Sequence, residues 1–486
     1  MKFHIVPFGC QMNRSDAERI RTVLSGMGYT ECEDENDPDV AVKGLIACSV
    51  RQKAIDRVYG RIRNWNQAKI HKPCLTFITG CVLPADRDKF LKMFDLIFPI
   101  DQLTDLPDMI RQYGVPTPGS MSHNHSLGDE IPDEGREDSE TAAPEVIPFT
   151  IGAPEVGMPG REEARERIEE FWKVRPSYGS VTEAFVPIQN GCDKFCTFCA
   201  VPYTRGREVS RPSKDILSEI RNLIDGGCKS VTLLGQNVNS YGLDKDGGEL
   251  SFPQLMREVG EIGRQTGAEF WTYFTSPHPR DITTDLLEVM SEYPVLANWI
   301  HLPLQSGDDK VLLRMNRNHS MARYRAVVND IRRLLPDASI FTDIIVGFTG
   351  ETEDQFEATA SAMREFRYDM AYIAQYSPRP GARSARWDDD VPKEEKERRF
   401  RYLSQLMQEI STPLNSARVG RVMRVLVTSE DRKSGYYSGY TEGRIPVRMA
   451  AEGLRIGEFA DVEIVAARPL SIEGRAAAGI TAGDVR

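Results

Sequence analysis

Three cysteines in one short stretch have the residue type and the spacing to bind an inorganic centre. Cys192, Cys196 and Cys199 stand in a C-x3-C-x2-C pattern. Three thiolates cannot complete a structural zinc site, which needs four ligands, but they can hold a four-iron cluster with one open iron. The alternatives are three unrelated core thiols, or a zinc site completed by a distant histidine. Because the local density of cysteines is so high, the pattern favours the cluster.

Three further cysteines lie far apart along the N-terminal region. Cys10, Cys48 and Cys81 each follow, by one to four residues, one of three strands that are predicted at 2–6, 40–46 and 75–79. The carboxyl ends of parallel strands gather along one edge of a sheet, where ligands bind. The three thiols would then meet and could hold a second cluster. The alternative is three scattered buried thiols.

The cysteine-rich stretch must be positioned by the elements of the central region, where strands and amphipathic segments alternate. Strands are predicted at 184–188, 230–234, 269–274, 298–302, 339–346 and 370–375. Six such β/α units predict an open, partial TIM-like barrel, in which catalytic groups stand at the carboxyl ends of the strands. The three-cysteine stretch follows the first strand, as this rule requires.

The pattern changes to short strands after Arg418. Strands are predicted at 422–427, 436–440, 445–449 and 459–465, with glycines at the turns between them. They predict a small β-barrel of the OB-like kind. Cations and tyrosines alternate in this region, and small barrels of this composition commonly bind RNA.

Length, composition and charge limit the class of protein. A chain of 486 residues predicts about three domains. We find no apolar run long enough to span a membrane and no signal-peptide pattern, so we expect a cytoplasmic protein. The net charge is −11, but an acidic stretch at 117–170 holds 14 acidic and 4 basic residues. Since the rest of the chain is near neutral, the charge does not exclude RNA as a partner.

The spacing of Cys192, Cys196 and Cys199 resembles the signature of the radical S-adenosylmethionine enzymes. The resemblance implies a [4Fe–4S] cluster whose open iron binds S-adenosylmethionine, and reductive cleavage of that molecule to a 5′-deoxyadenosyl radical. It also gives these three cysteines a catalytic role. The segments around Gln305 and Asp343, Gln-Ser-Gly and Asp-Ile-Ile-Val-Gly-Phe, are similar to segments of the same family.

Three segments of the N-terminal region resemble the methylthiotransferases within that superfamily. They are Gly9-Cys10-Gln11-Met12-Asn13, Cys48-Ser49-Val50-Arg51 and Thr79-Gly80-Cys81. The resemblance implies that Cys10, Cys48 and Cys81 bind an auxiliary [4Fe–4S] cluster. One departure stands beside a ligand: the family usually has Asn-Thr before the second cysteine, and this chain has Ile46-Ala47. The C-terminal region resembles the TRAM domain that closes these enzymes.

An adenosyl cofactor needs acceptors for its ribose hydroxyls, a cradle for its adenine and a cation for its carboxylate. Polar residues near the predicted barrel mouth have this chemistry and are our candidates for S-adenosylmethionine binding: Arg205, Gln236, Asn237, Gln305 and Asp343. Taken singly, each is equally compatible with capping the end of a strand.

Two segments indicate the substrate within the family. The stretches 203–211 and 235–239 are similar to the branch that acts on N6-isopentenyladenosine next to the tRNA anticodon. This resemblance implies that the C2–H of that base is replaced by a methylthio group. The alternatives are methylthiolation of a ribosomal-protein aspartate, methylthiolation of threonylcarbamoyl-adenosine in tRNA, and a non-catalytic Fe–S protein that binds RNA.

The fold class predicted for the whole chain is α/β, with three domains and two connecting segments. A helix at 15–24 and another at 49–65 accompany the N-terminal strands. We predict a methylthiotransferase N-terminal domain, an acidic flexible insertion, a radical S-adenosylmethionine core, a TRAM domain and a tail, at 1–115, 116–180, 181–410, 415–475 and 476–486. The implied partners are tRNA, a reductant such as flavodoxin or ferredoxin, and Fe–S assembly or sulfur-carrier proteins. We expect a monomer.

Overall fold

The structure of the protein is a computed structural model that describes residues 1–48, 52–69, 72–114, 161–245 and 247–477. The chain forms two compact units, Met1–Ser177 and Tyr178–Arg486. Most of the predicted acidic insertion, at 116–160, and most of the predicted tail, at 478–486, lie outside the described residues. Among the described residues, no helix is long and apolar enough to cross a membrane.

The first unit is built on a parallel sheet. Its strands have the order β2-β1-β3-β4-β5 and span Lys2–Pro7 (β1), Thr30–Glu31 (β2), Val40–Cys48 (β3), Leu75–Cys81 (β4) and Leu96–Ile97 (β5). Strands β3 and β4 are buried along nearly their whole length, as strands covered on both faces should be. The predicted strands are present, and both β3 and β4 continue as far as their cysteine.

Helices accompany the sheet of the first unit. They span Gln11–Gly26 (α1), Gln52–Lys69 (α2), Pro84–Leu91 (α3), Leu106–Tyr113 (α4) and Arg161–Lys173 (α5), with a kinked 3-10 segment at Ile100–Asp105. The predicted start of the first helix was wrong, because α1 begins at Gln11 and Cys10 occupies its N-cap position in an extended conformation. Ser15 is buried one turn inside the helix. Helix α5 contacts the 3-10 segment, so this end of the predicted insertion is part of the first unit.

The second unit begins with the predicted open barrel. Its six parallel strands form the sheets β10-β9-β6 and β11-β12-β13, which meet through a parallel bridge from Thr272 to Leu296. They span Glu183–Pro187 (β6), Ser230–Leu234 (β9), Trp271–Phe274 (β10), Trp299–His301 (β11), Ser339–Val346 (β12) and Met370–Gln375 (β13). A short two-stranded ladder, Gln189–Asn190 (β7) with Val209–Ser210 (β8), follows the first of them.

Helices accompany the barrel strands, and the first of them, which is short, lies within the cysteine-rich stretch between β7 and β8. They span Val201–Arg205 (α6), Ser213–Asp225 (α7), Phe252–Thr266 (α8), Thr284–Glu292 (α9), Asp309–Arg314 (α10), Met321–Leu334 (α11), Glu353–Phe366 (α12) and Lys393–Ser416 (α13). Helix α7 buries the predicted apolar face, including Ile216 and Ile220, and ends at Gly226. Capping boxes begin α8 and α12, where Ser251 and Thr352 satisfy free backbone N–H groups.

A closed barrel with the strand order β14-β15-β16-β18-β17 ends the described chain. Its strands span Val422–Glu430 (β14), Tyr436–Thr441 (β15), Pro446–Ala450 (β16), Phe459–Arg468 (β17) and Ser471–Ala476 (β18). Four of them were predicted. The prediction missed β18, which has no clear alternation of its own and is a strand because it closes the sheet between β16 and β17.

The C-terminal barrel packs against the amino ends of the central strands, opposite the end that carries the cysteines. Glu183, Trp271, Trp299 and Ser339 are the first residues of four central strands. Tyr440 donates to Glu183, Phe459 packs on Trp271, and Gly443 lies against Ser339. One apolar cluster therefore contains both residues near the amino ends of the open barrel's strands and residues inside the closed barrel.

Arg444 is the central polar contact of this interface. Its guanidinium carbon lies 3.9 Å from the ring centroid of Tyr273 and 4.3 Å from that of Tyr440. The same group lies 3.6 Å from the carboxylate of Glu183 and donates to Thr232. A cation between two aromatic faces, mostly removed from water, stabilises the interface.

We predict that Arg444→Ala lowers the free energy of unfolding of the second unit by about 2 kcal/mol, because both cation–π contacts are lost. Urea titration followed by tryptophan fluorescence, to which Trp271 and Trp299 at the interface contribute, measures this change. The matched control is Arg432→Ala, an exposed arginine of the same barrel, for which we expect less than about 0.5 kcal/mol. Equal losses in the two variants would contradict the importance of the stacked cation.

Candidate cluster and cofactor site

The loop that carries Cys192, Cys196 and Cys199 is closed at its base by backbone contacts. It leaves the barrel after β7 and returns at β8, and these two strands pair antiparallel. The backbone N–H of Cys192 donates to the carbonyl of Gly206. Gly191 has a φ of +77°, and a side-chain carbon there would lie 1.9 Å from the carbonyl oxygen of Arg207. Only glycine therefore permits the two ends of the loop to approach this closely.

The three thiols of this loop influence one another. Burial raises the pKa of Cys192 to about 12, and the other two thiolates and Glu208 add to the effect. Burial and the neighbouring Cys196 raise the pKa of Cys199 to about 12. Three thiolates at this position thus require a positively charged centre, since metal ligands are deprotonated.

Among the described residues, no group of three or more His, Cys, Asp or Glu side chains is placed to hold a single metal ion. A cubane cluster distributes three thiolates over three different irons and so does not need this close approach. The chemistry of the donor set, three cysteines at the carboxyl end of a barrel strand, fits a cluster of this kind better than zinc.

A turn after α10 holds the cysteine loop from the other side. Thr197 donates its backbone N–H to the carbonyl of Met315 and its hydroxyl to that of Arg314. The side chain of Asn316 donates to the carbonyls of Lys194 and Phe195. Four hydrogen bonds from a segment more than a hundred residues away therefore fix the conformation of the loop. The sequence showed no signal for this contact.

Polar side chains converge on Ser240, which follows β9. The amides of Gln189 and Asn237 both donate to its hydroxyl oxygen. Burial raises the pKa of Glu208 to about 7, while a hydrogen bond with Ser240 opposes the shift. The base of the cysteine loop and the segment after β9 thus meet at one buried position.

The predicted cofactor residues fall into two groups. Gln236 and Asn237 come directly after β9, and each has a buried side-chain oxygen without a hydrogen-bond partner among the described residues. Gln305 and Asp343 are linked by a backbone hydrogen bond, and Gln305 adopts a φ of +72°. Arg205 is buried at the end of α6 and donates to Asn190. Orphaned acceptor oxygens are what a ligand rich in hydroxyl groups would satisfy.

Sequence reasoning missed the partner of Asp343. The imidazole Nε2 of His301, on the neighbouring strand β11, lies 3.0 Å from its carboxylate. The parallel register of β11 and β12 brings the two residues together, with His301 opposite Phe341. His301 lies four residues before Gln305 in the sequence, but the sequence alone does not show that the imidazole of His301 faces Asp343.

The three cysteines of the first unit gather at the carboxyl edge of its sheet. Cys48 and Cys81 stand directly opposite each other on β3 and β4. Gly9, next to Cys10, lies so close to Cys48 that an added side-chain carbon would be 2.4 Å from its Cβ. The proximity predicted from strand ends is present for Cys48 and Cys81, and Cys10 follows the glycine that approaches Cys48, while the meeting of all three thiols and cluster binding stay predictions.

Asn13 holds this edge together. Its amide donates to the carbonyls of Phe8, Ile46 and Ala47, and its side-chain oxygen accepts from the thiol of Cys10. Ile46 and Ala47, where the family usually has two polar residues, are fully buried. The hydrogen bonds beside Cys48 thus come from Asn13 to the backbone, and these do not need polar side chains at 46 and 47.

Comparison with known proteins identifies the class. Residues 186–363 match the radical SAM superfamily, residues 2–99 match the family described as Uncharacterized protein family UPF0004, and residues 416–477 match the TRAM domain. A solved radical S-adenosylmethionine methyltransferase, TsrM from Kitasatospora setae, has a similar fold. It has a TM-score of 0.50 at 10% identity and covers 92% of this chain and 82% of its own. The fold and the domains are those of a radical SAM protein.

Relatives of similar length narrow the family. A protein of Geotalea uraniireducens is 36% identical over 97% of this chain and 98% of its own length. A protein of Geobacter sulfurreducens is 37% identical over 95% and 94%, and one of Yersinia pestis is 36% identical over 97% and 92%. All three are named tRNA-2-methylthio-N(6)-dimethylallyladenosine synthase. The chain belongs to this family, and the resemblance seen in the sequence is confirmed.

Asn13→Asp should destabilise the first unit by about 1–3 kcal/mol, because a carboxylate cannot donate to three carbonyls that are then left unpaired. Chemical denaturation of the iron-free protein measures the loss. Asn36→Asp, on an exposed loop of the same unit, introduces the same charge and should leave the stability nearly unchanged. If both variants unfolded at the same denaturant concentration, Asn13 would not organise this edge.

Glu208 should make the iron-free protein less stable as the pH rises. Its pKa is 4.5 as an ordinary carboxyl and is raised to about 7 in the folded state, mainly by burial. The unfolded chain therefore releases the proton first, and stability falls between about pH 4.5 and 7. Glu208→Gln should remove this slope from the unfolding free energy measured across that range. Glu258→Gln, an exposed change, should keep it, and an unaltered slope in Glu208→Gln would contradict the assignment.

Proposed function

We propose that the protein replaces the C2–H of N6-isopentenyladenosine, at position 37 of tRNA, by a methylthio group. The observation that supports this most is the three-cysteine loop at the carboxyl mouth of the barrel, in a chain 36% identical over 97% of its length to tRNA-2-methylthio-N(6)-dimethylallyladenosine synthases. The C2–H bond carries no acidic proton. Acid and base side chains alone therefore cannot open it, and a radical source suits the reaction.

The proposal includes two [4Fe–4S] clusters. Cys192, Cys196 and Cys199 would hold the first, which would supply one electron for the reductive cleavage of S-adenosylmethionine into methionine and a 5′-deoxyadenosyl group. Cys10, Cys48 and Cys81 would hold the auxiliary cluster, for which the adjacency of Cys48 and Cys81 is the structural support. A second S-adenosylmethionine would donate the methyl group.

The residues around the barrel mouth would bind and orient S-adenosylmethionine. The orphaned oxygens of Gln236 and Asn237 can accept from ribose hydroxyls. Asp343 and Gln305 provide further polar groups on the opposite sheet, and Arg205 would face the carboxylate of the cofactor. Cys192 is buried and Cys196 and Cys199 are partly buried, so the loop would limit the access of water to the place of the reaction.

The proposed partners follow from the chemistry. Transfer of a methylthio group to RNA requires tRNA, an electron donor such as flavodoxin or ferredoxin, and Fe–S assembly or sulfur-carrier proteins. The exposed cations of the C-terminal barrel, such as Arg432 and Arg455, would contact phosphates and give salt-dependent affinity. We propose a cytoplasmic monomer. Because this barrel packs at the amino ends of the strands, its RNA contacts would be far from the base that reacts.

Reconstituted protein should bind about eight irons, the content of two four-iron cubanes. It should convert N6-isopentenyladenosine in tRNA to the 2-methylthio product, measured by mass spectrometry of the digested tRNA. Replacing Cys192, Cys196 and Cys199 together by Ala should leave about half of the iron and abolish release of 5′-deoxyadenosine. The control is Cys32→Ala, outside both groups of cysteines, which should retain both properties.

The outcomes separate the proposed reaction from its rivals. A product on a ribosomal-protein aspartate, or on threonylcarbamoyl-adenosine, with none on isopentenyladenosine would assign another substrate. Tight tRNA binding without any 5′-deoxyadenosine would indicate a non-catalytic Fe–S protein. Cleavage of S-adenosylmethionine by the triple cysteine variant would refute the assignment of the loop.

A further inference from the structure

Arg317 is a buried cation in direct contact with the cysteine loop. It lies in the turn between α10 and α11, and its side chain is only 7% exposed. One guanidinium nitrogen, Nη1, donates to the sulfur of Cys196 over 3.6 Å, and the other, Nη2, donates to the carbonyl of Pro303 over 3.1 Å. The Nε–H has no partner among the described residues.

Among the described residues, no carboxylate lies within ion-pair distance of Arg317, although Asp309 also acts on the neighbouring His319. Two other buried arginines of the same unit have a carboxylate partner, since Arg211 lies 2.6 Å from Glu219 and Arg399 lies 2.8 Å from Glu351, while the buried Arg205 donates to the amide oxygen of Asn190. A buried charge without a counter-charge is strongly unfavourable. An anion in contact with the guanidinium of Arg317 would therefore be stabilised at this position.

The two histidines beside Arg317, His278 and His319, neither balance its positive charge nor add to it. Burial and the charge of Arg317 lower the pKa of His319 to about 4. Burial, and then the charge of Arg317, also lower the pKa of His278 far below its usual range. Both rings are neutral at physiological pH. The anionic group nearest to the guanidinium is thus the sulfur of Cys196 when it is a thiolate.

We infer that Arg317 is the counter-charge of the metal centre at Cys192, Cys196 and Cys199, acting through its hydrogen bond to the sulfur of Cys196. It is a positioning residue, and the inference rests on the proposed cluster. A cluster held by three thiolates carries a net negative charge that grows on reduction. A buried cation and an N–H donor to sulfur stabilise the reduced state most, so they raise the reduction potential.

The turn that carries Arg317 is already tied to the loop through Arg314, Met315 and Asn316. These bonds place the guanidinium beside Cys196 before any cluster is present. A preorganised donor costs no rearrangement when the ligand sulfur becomes negative. The turn therefore combines two tasks, since its carbonyls and amides hold the backbone of the loop while Arg317 offsets its charge.

Three substitutions separate charge from hydrogen bonding. Arg317→Lys keeps the positive charge, Arg317→Gln keeps an N–H donor without charge, and Arg317→Met removes both. They are made in a full-length background with Cys10, Cys48 and Cys81 replaced by Ala, so that one cluster gives the signal. The control is Arg332→Met on α11, whose guanidinium caps the carbonyl of Ala338 and does not contact the loop.

The midpoint potential is measured by redox titration of the reduced-cluster EPR signal, and iron retention is measured after exposure to a chelator. We expect the potential to become more negative in the order Lys, Gln, Met, with the largest loss of iron in the Met variant and neither change in the control. If Arg317→Met had the same midpoint potential and iron content as the protein that keeps Arg317, the inference would be overturned. If that variant fails to assemble, equal potentials for Arg, Lys and Gln at this position would overturn it.

These results are distinguishable from failure of the proposed function. If the native chain bound no cluster at Cys192, Cys196 and Cys199, the function itself would be refuted. If it bound the cluster but the potential did not respond to residue 317, only the role of the arginine would be lost.

Discussion

The central constraint on this protein is that three thiolates must be held together in one short, partly buried loop. Burial and mutual repulsion both oppose their ionisation, as the raised pKa values of Cys192 and Cys199 show. The fold meets this constraint with backbone contacts at both sides of the loop. The β7–β8 ladder closes its base, and the turn after α10 holds its middle. The loop is thus arranged before a metal centre could bind.

The two groups of cysteines are brought together in different ways. In the second unit, neighbouring residues of a single loop supply all three thiols, so local spacing is enough. In the first unit, strand register places Cys48 opposite Cys81, and Asn13 ties the segment that carries Cys10 to β3 through the carbonyls of Ile46 and Ala47. The first arrangement depends on short-range geometry. The second depends on correct assembly of a whole sheet.

The position of the C-terminal barrel separates stability from chemistry in the second unit. In barrels of parallel strands, the carboxyl ends carry reactive groups and the amino ends contribute stability. Here the amino ends are covered by a second domain, with Arg444 between Tyr273 and Tyr440 and a shared apolar cluster. A tRNA that contacted this barrel and also reached the cysteine loop would have to extend along the length of the central strands.

The sequence by itself determined the family, the order in which the domains follow one another and most of the longer strands. Local patterns carry this information: cysteine spacing, the periodicity of segments such as Ser213–Asp225, and glycines at turns. Tertiary structure alone decided that α1 begins at Gln11, that β18 closes the last barrel, that His301 meets Asp343, and that Arg317 contacts Cys196. Each of these depends on residues brought together across long sequence separations by strand register or domain packing, and no local pattern encodes such contacts.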